Sequence, residues 1–93
     1  MPTKQQIEKL GNTLIYFSNK VSEPSKTKIL KLLFLLEEKS IATYGVPFFG
    51  FDFELWQYGP VEKNVYVEFA ENLPTLHRYI RKISSDDYYA ASQ

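Results

Sequence analysis

Residues 29–36 read Ile29-Leu30-Lys31-Leu32-Leu33-Phe34-Leu35-Leu36, seven apolar side chains around one lysine. Wound into a helix, this run is apolar almost all the way round, as in a helix contacted on several sides. It is far too short to cross a bilayer, which takes about 20 apolar residues. The stretch therefore predicts a central helix, the spine of one hydrophobic core. Lys31 interrupts it. Its ammonium must either reach water along its own methylene stem or pair with a carboxylate or carbonyl, and the first is the commoner outcome.

Working outward, Ser22-Glu23-Pro24-Ser25 marks the start of this helix, because proline is tolerated in a first turn but not in a helix interior. Gly45, just after Tyr44, suits its C-terminal stop. Upstream, Thr3 and Gln6 stand three apart and can form a capping box that opens an earlier helix. Ile7, Leu10, Leu14, Phe17 and Val21 then recur at alternating steps of three and four, with Ile15 beside them, which gives a core-facing stripe. Gly11 costs that helix about 1 kcal/mol relative to alanine, so close packing of another element is expected over it.

Downstream the pattern changes period. Phe51, Phe53 and Leu55 alternate with Asp52 and Glu54, and Gly50 can turn the chain just before them, so a short strand is expected, paired with Val46–Phe49 as a hairpin. Gly59-Pro60 should end the extended segment and place proline in the first turn of a third helix. Val61, Val65, Phe69 and Leu73 give that helix its stripe, with Tyr66 alongside. After Asn72-Leu73-Pro74, the residues Leu76, Tyr79, Ile80 and Ile83 support a fourth helix. The polar tail of residues 84–93 is expected to be loosely held, with Tyr88 and Tyr89 able to dock. The expected class is mainly α with a small β-hairpin, an α+β fold of about four helices around a central apolar helix, the hairpin lying between the second and third.

A chain of 93 residues suffices for one core, so residues 1–93 are read as one domain. The hydrophobic fraction of 44% and the aromatic fraction of 16% are too high for a disordered chain. Lys plus Arg and Asp plus Glu both count 11, and this zero net charge argues against a strongly electrostatic nucleic-acid binder. With no cysteine, neither a disulfide nor a thiolate metal site can form. The N-terminal Met1–Gln6 is polar and holds no signal-peptide core, which points to the cytoplasm and away from the membrane.

Chemistry-bearing patterns are sparse. His77 is the single histidine; it stands beside Arg78, and no serine sits in a sharp glycine turn to serve as its nucleophile, so it reads as exposed or helix-capping. Asp52 with Glu54, and Asp86 with Asp87, read as solvated acidic faces, since neither spacing matches a calcium loop or a zinc motif. The glycines at 11, 45, 50 and 59 build no phosphate-cradling loop. No catalytic, metal or cofactor-binding residue is assigned.

The aromatic content around the expected hairpin is high: Tyr44, Phe48, Phe49, Phe51, Phe53, Trp56, Tyr58 and Tyr66. A small domain can bury only some of these, and the remainder would form the kind of patch that marks a protein interface. Phe53 and Leu55 are read as core, whereas Trp56 and Tyr58 are divided between core and interface.

Taken in order, Lys31-Leu32-Leu33-Phe34, then Tyr44, Gly45 and Pro47, then Trp56-Gln57-Tyr58-Gly59-Pro60-Val61, and finally Tyr66 resemble the Panacea domain, the SocA-like antitoxin and phage-associated family. Lys28 to Phe69 carries the likeness. Phe34 stands where the family pattern has tyrosine, and the family continues into further helices with a Thr-His segment and a tryptophan, so a minimal or C-terminally shortened member is expected. The resemblance implies a non-enzymatic bacterial or phage antitoxin that neutralises a toxin by direct contact, in one branch delivering it to a protease. On that reading Lys31, Trp56, Tyr58, Gly59, Pro60 and Tyr66 shape the partner-binding platform.

Two other classes compete with this reading. Helix, helix and hairpin in this order can resemble a winged-helix regulator, with Lys26, Lys28 and Lys31 as phosphate contacts. Zero net charge and the apolar second helix weigh against it. The other is a homodimeric structural domain of a prophage remnant, in which exposed stripes pair with each other.

Overall fold

The computed structural model describes residues 3–57, 59–83 and 87–92. Both N-terminal helices begin and end on the local chemistry the sequence supplies. In helix α1 (Lys4–Lys20), the Thr3 hydroxyl accepts from the Gln6 N–H while the Gln6 side chain accepts from the Thr3 N–H, which completes the capping box. Helix α2 (Lys26–Tyr44) is capped by the Ser25 hydroxyl on the Lys28 N–H and stops at Gly45, whose φ of 76° is the left-handed value that glycine adopts without a Cβ penalty. Pro24 lies one residue ahead of the cap and is buried.

Helix α1 buries Leu10, Gly11 and Leu14, and α2 buries Ile29, Leu33, Glu37 and Ser40. The apolar run of α2 is thus fully covered along one stripe only. Leu30, Leu32, Phe34 and Leu36 are half-buried, and Leu35 is exposed. The described elements cover its other sides only in part.

Between α2 and the next helix, strands β1 (Phe53–Trp56) and β2 (Gly59–Glu62) form an antiparallel hairpin, with Phe53 opposite Glu62 and Trp56 opposite Gly59. A hairpin was expected here, but with the opposite partner. Residues 46–49 do not pair with β1, because the Phe48 and Phe49 N–H groups already donate to the Glu37 carboxylate. Pro60 accordingly lies inside β2 rather than at the first turn of a helix, facing Leu55 across the ladder. Its fixed φ suits either position, and a two-stranded ribbon is all edge, so the missing N–H costs no ladder bond. Helix α3 (Lys63–Ala70) starts three residues later, where the buried Glu62 caps it by accepting from the Val65 N–H at 2.9 Å.

The expected fourth helix is absent. After α3 the chain turns through Asn72 and Leu73, both at positive φ (62° and 59°), and this turn drives Leu73 into the core. The Thr75 and Leu76 N–H groups donate to Glu68, a single 3₁₀ turn follows (Leu76–Arg78), and the chain then extends into strand β3 (Ile80–Lys82). Strand β3 pairs antiparallel with β4 (Tyr89–Ala91), which supplies the hydrogen bonds a helix would have made internally. Leu76 and Ile80 are four apart and both fully buried, so the spacing was read correctly and its backbone was not. Each contributes roughly 1.5–3 kcal/mol of burial.

Residues 87–92 are also tied down where a loosely held tail was expected. The Tyr89 N–H donates to the Pro24 carbonyl, Tyr88 bridges to Ser25, and the Ser92 N–H donates to the Tyr79 carbonyl. Tyr89 is buried with its ring edge-on to Phe69, the two centroids 5.0 Å apart. Among the described residues the fold is thus mixed α+β and mostly helical: three α-helices and two antiparallel strand pairs around one apolar cluster. None of these helices is long and apolar enough to cross a membrane.

Candidate partner-binding surface

The hairpin and the first turns of α2 and α3 bring four side chains into a row. The Trp56 and Tyr66 rings meet at 4.8 Å with 63° between their planes, an edge-to-face contact. The Trp56 indole N–H donates to Glu54 Oε1 at 3.0 Å, and on the far side Lys26 Nζ lies 4.8 Å from the centre of the Tyr66 ring. Glu54 and Trp56 share one face of β1, as the alternation of a strand requires. On the other face Phe53 packs edge-on against Phe34 of α2 at 5.3 Å.

Of the six residues expected in the platform, the structure gathers Trp56, Gly59, Pro60 and Tyr66 at the hairpin. Tyr58 lies outside the described residues. Lys31 is exposed on α2, consistent with the snorkelling expected of it, and the ammonium on the aromatic pair is that of Lys26, five residues earlier. Leu55, read as core, is instead 87% exposed. By strand alternation it shares a face of β1 with Phe53, which packs on Phe34, but is itself left uncovered.

Behind this surface lies a group that the sequence reading missed. Glu37 is only 4% exposed and has no cation beside it among the described residues. Its carboxylate accepts four backbone N–H groups in succession, from Phe48, Phe49, Gly50 and Phe51, at 2.6–2.9 Å. Gly50 takes a φ of 79° inside this loop, which wraps the amides round the carboxylate. The loop's carbonyls face α1: Gln6 Nε2 donates to Phe49 at 2.9 Å, and Lys9 Nζ donates to Phe48. Every oxygen of the buried charge is therefore satisfied by amide dipoles, and α1, α2 and the approach to β1 are locked together. One signal in the sequence could have found it. Ile29, Leu33 and Glu37 step by four along the buried stripe, so a carboxylate falls where an apolar residue belongs.

Other titratable groups are engaged locally. His77 Nδ1 faces the Leu73 and Pro74 carbonyls, and Asp87 pairs with Lys82 at 3.4 Å. Burial pushes the Tyr89 phenol above its usual range, the Lys82 ammonium opposes that rise, and the Asp87 carboxylate adds to it. Asp86 lies outside the described residues. Among those described, no cluster of three or more His, Cys, Asp or Glu could hold a metal ion. An open cleft of about 260 Å³ lies between α1 and α3, lined by Ile7, Leu10 and Leu76 with Lys63, Glu68 and Thr75.

Two of the three lysines weighed as phosphate contacts are turned to partners within the chain. Lys26 lies over Tyr66, and Lys28 Nζ donates to the Ser22 carbonyl at 2.7 Å.

The model of the family described as "Antitoxin SocA-like, Panacea domain" matches residues 29–93. The chain belongs to this family. No curated protein and no solved structure matches it. In this Panacea domain the matched span begins one turn into α2 and takes in the hairpin, α3 and the β3–β4 pair, while α1 precedes it. The described residues that carried the resemblance now have places: Lys31 to Phe34 on α2, Tyr44 to Pro47 at its C-terminal exit, Trp56, Gln57 and Gly59 to Val61 at the hairpin, and Tyr66 on α3 packed against Trp56.

Proposed function

We propose that this Panacea domain is a non-enzymatic antitoxin that neutralises a protein toxin by direct contact, using the face that carries Trp56, Tyr58, Gly59, Pro60 and Tyr66, with Lys31 at its margin. The observation that carries the reading is the family match over residues 29–93. Two features support the choice of face. Trp56 and Tyr66 are half-buried, rigidly paired aromatics, the kind of side chain that anchors interfaces at little entropic cost. Lys26 and Glu54 flank them with opposite charges, a polar rim around an apolar centre. We place the encounter in the cytoplasm, with delivery of the captured toxin to a protease as an additional role in the bacterial or phage setting of the family.

Co-expression tests this directly. Each protein encoded beside the chain is induced in a bacterial host with and without it, and growth is scored. A neighbour that arrests growth alone, is tolerated with the intact chain and co-purifies with it at equal stoichiometry establishes the antitoxin reading. If no neighbour is toxic, or if a toxic one is not rescued, the reading fails. The Trp56→Ala variant then examines the face: rescue and co-purification undiminished in a folded variant would exclude it.

A further inference from the structure

The two edges of the hairpin are not equivalent. Pro60 has no N–H, so the Leu55–Pro60 pair cannot be one of the hydrogen-bonded pairs of the ladder, and its neighbours Trp56–Gly59 and Glu54–Val61 must be. This parity turns the N–H and C=O groups of Phe53 and Leu55 outward along β1. Strand β2 is blunted by Pro60 along its outer edge and contacts α2, whereas the sheet is two-stranded and nothing among the described residues pairs with the outer edge of β1. Leu55, on that edge, is 87% exposed, and the acidic Asp52 and Glu54, on either side of Phe53, are exposed too.

We propose that the open edge of β1 accepts an extended segment of the partner protein as a third strand, with basic side chains of that segment set against Asp52 and Glu54. This deepens the antitoxin reading and rests on it. Main-chain hydrogen bonds to Phe53 and Leu55 supply the attachment, and the side chains on alternate positions supply the choice of partner. Charge selects the occupant. A second copy of this chain would bring its own Asp52 and Glu54 into the same short ladder, where like charges oppose each other, while a lysine- or arginine-bearing strand is attracted. Leu55 adds an apolar contact on the opposite face of the new strand pair.

The test uses the full chain, labelled with nitrogen-15, and the heptapeptide Val-Lys-Val-Lys-Val-Lys-Val as probe. Saturable amide shifts centred on Phe53 and Leu55, weakened by added salt, are expected. Leu55→Pro removes an outward N–H and no ladder bond, and should weaken the peptide at least tenfold; Leu55→Ala keeps the N–H and should weaken it only a few-fold. Should the proline variant not fold, the pair Asp52→Lys and Glu54→Lys serves instead, with preference passing to the same peptide carrying glutamate for lysine. Absence of binding, shifts centred on the α1–α3 cleft, or indifference to the charge reversal would overturn the proposal. So would a Leu55 amide that shifts on dilution without peptide, since a second copy would then hold the edge. Growth rescue is scored separately. Rescue without peptide binding condemns only the edge, and peptide binding at β1 without a rescued toxin condemns only the antitoxin reading.

Discussion

Gly11 of α1 packs its bare Cα against the ring of Tyr79, so that a methyl group at residue 11 would fall on ring carbon atoms. The glycine that weakens α1 thereby admits the segment linking the 3₁₀ turn to β3. Gly11→Ala should regain about 1 kcal/mol of helix propensity and lose about 1–3 kcal/mol to overpacking, for a net destabilisation of up to about 2 kcal/mol. Urea unfolding measures it. Combined with Tyr79→Leu, the alanine should become nearly neutral, a coupling that a double-mutant cycle reads directly.

Glu37→Gln offers one acceptor oxygen where the carboxylate has two and turns an amide N–H₂ toward backbone donors. The variant should lose about 2–4 kcal/mol, because buried N–H groups are left without acceptors. Hydrogen exchange locates the effect. The amides of Phe48, Phe49, Gly50 and Phe51 should lose protection more than those of α3. A loss spread evenly over the chain would show that the carboxylate does not hold this loop.

Tyr66→Ala removes the ring against which Trp56 rests. The pair contributes about 0.5–1.5 kcal/mol beyond simple burial, so a loss of that order is expected, with any extra coming from the side chain's own contacts. Trp56 is the single tryptophan, so its fluorescence reports this site alone. Emission should shift to longer wavelength as the indole gains water, and an unchanged spectrum would contradict the packing.

Burial raises the pKa of Tyr89 in the folded chain above its ordinary value of 10.0. On raising the pH, the unfolded chain therefore releases this proton first. The contribution of Tyr89 is complete below pH 10.0 and declines as the pH climbs toward the folded value. Tyr89→Phe should flatten that alkaline decline while leaving neutral-pH stability within about 1 kcal/mol, since no hydroxyl partner among the described residues is lost. Chemical unfolding repeated between pH 8 and about pH 11 compares the two slopes.

How much of this was legible in the sequence depends on how local the cause is. Thr3 with Gln6, and Gly45, punctuate the helices through contacts that span at most four residues and were readable, whereas Pro24, expected in the first turn of α2, falls ahead of it because the Ser25 hydroxyl takes the cap. Gly11 announced a close approach but not Tyr79, whose arrival is a tertiary event. Pro60 misled because one φ value serves both a helix start and an edge strand; the register with Leu55 decides between them, and register is not local. Leu76 and Ile80 carry a helical spacing that a 3₁₀ turn and a strand satisfy equally well once β4 supplies hydrogen bonds. At the candidate surface, the aromatic cluster could be read from composition, whereas the cation over Tyr66 could not. Lys26 and Lys31 differ by five residues, and only the crossing of α2 with α3 sets which of them reaches the ring.

The packing of α1 against β3 and β4 dictates an order of events during synthesis. Helix α1 leaves the ribosome well before β3 and β4, with Leu10 and Leu14 uncovered, while Ile80 and Tyr89 of the same core follow about 70 to 80 residues later. At the usual elongation rate of about 5–20 residues per second, the wait is on the order of several seconds. Through that interval the domain cannot close, however firmly α1 and α2 are capped. For as long as the wait lasts, the apolar face of α1 is open to chaperones and proteases, whatever the stability of the finished fold.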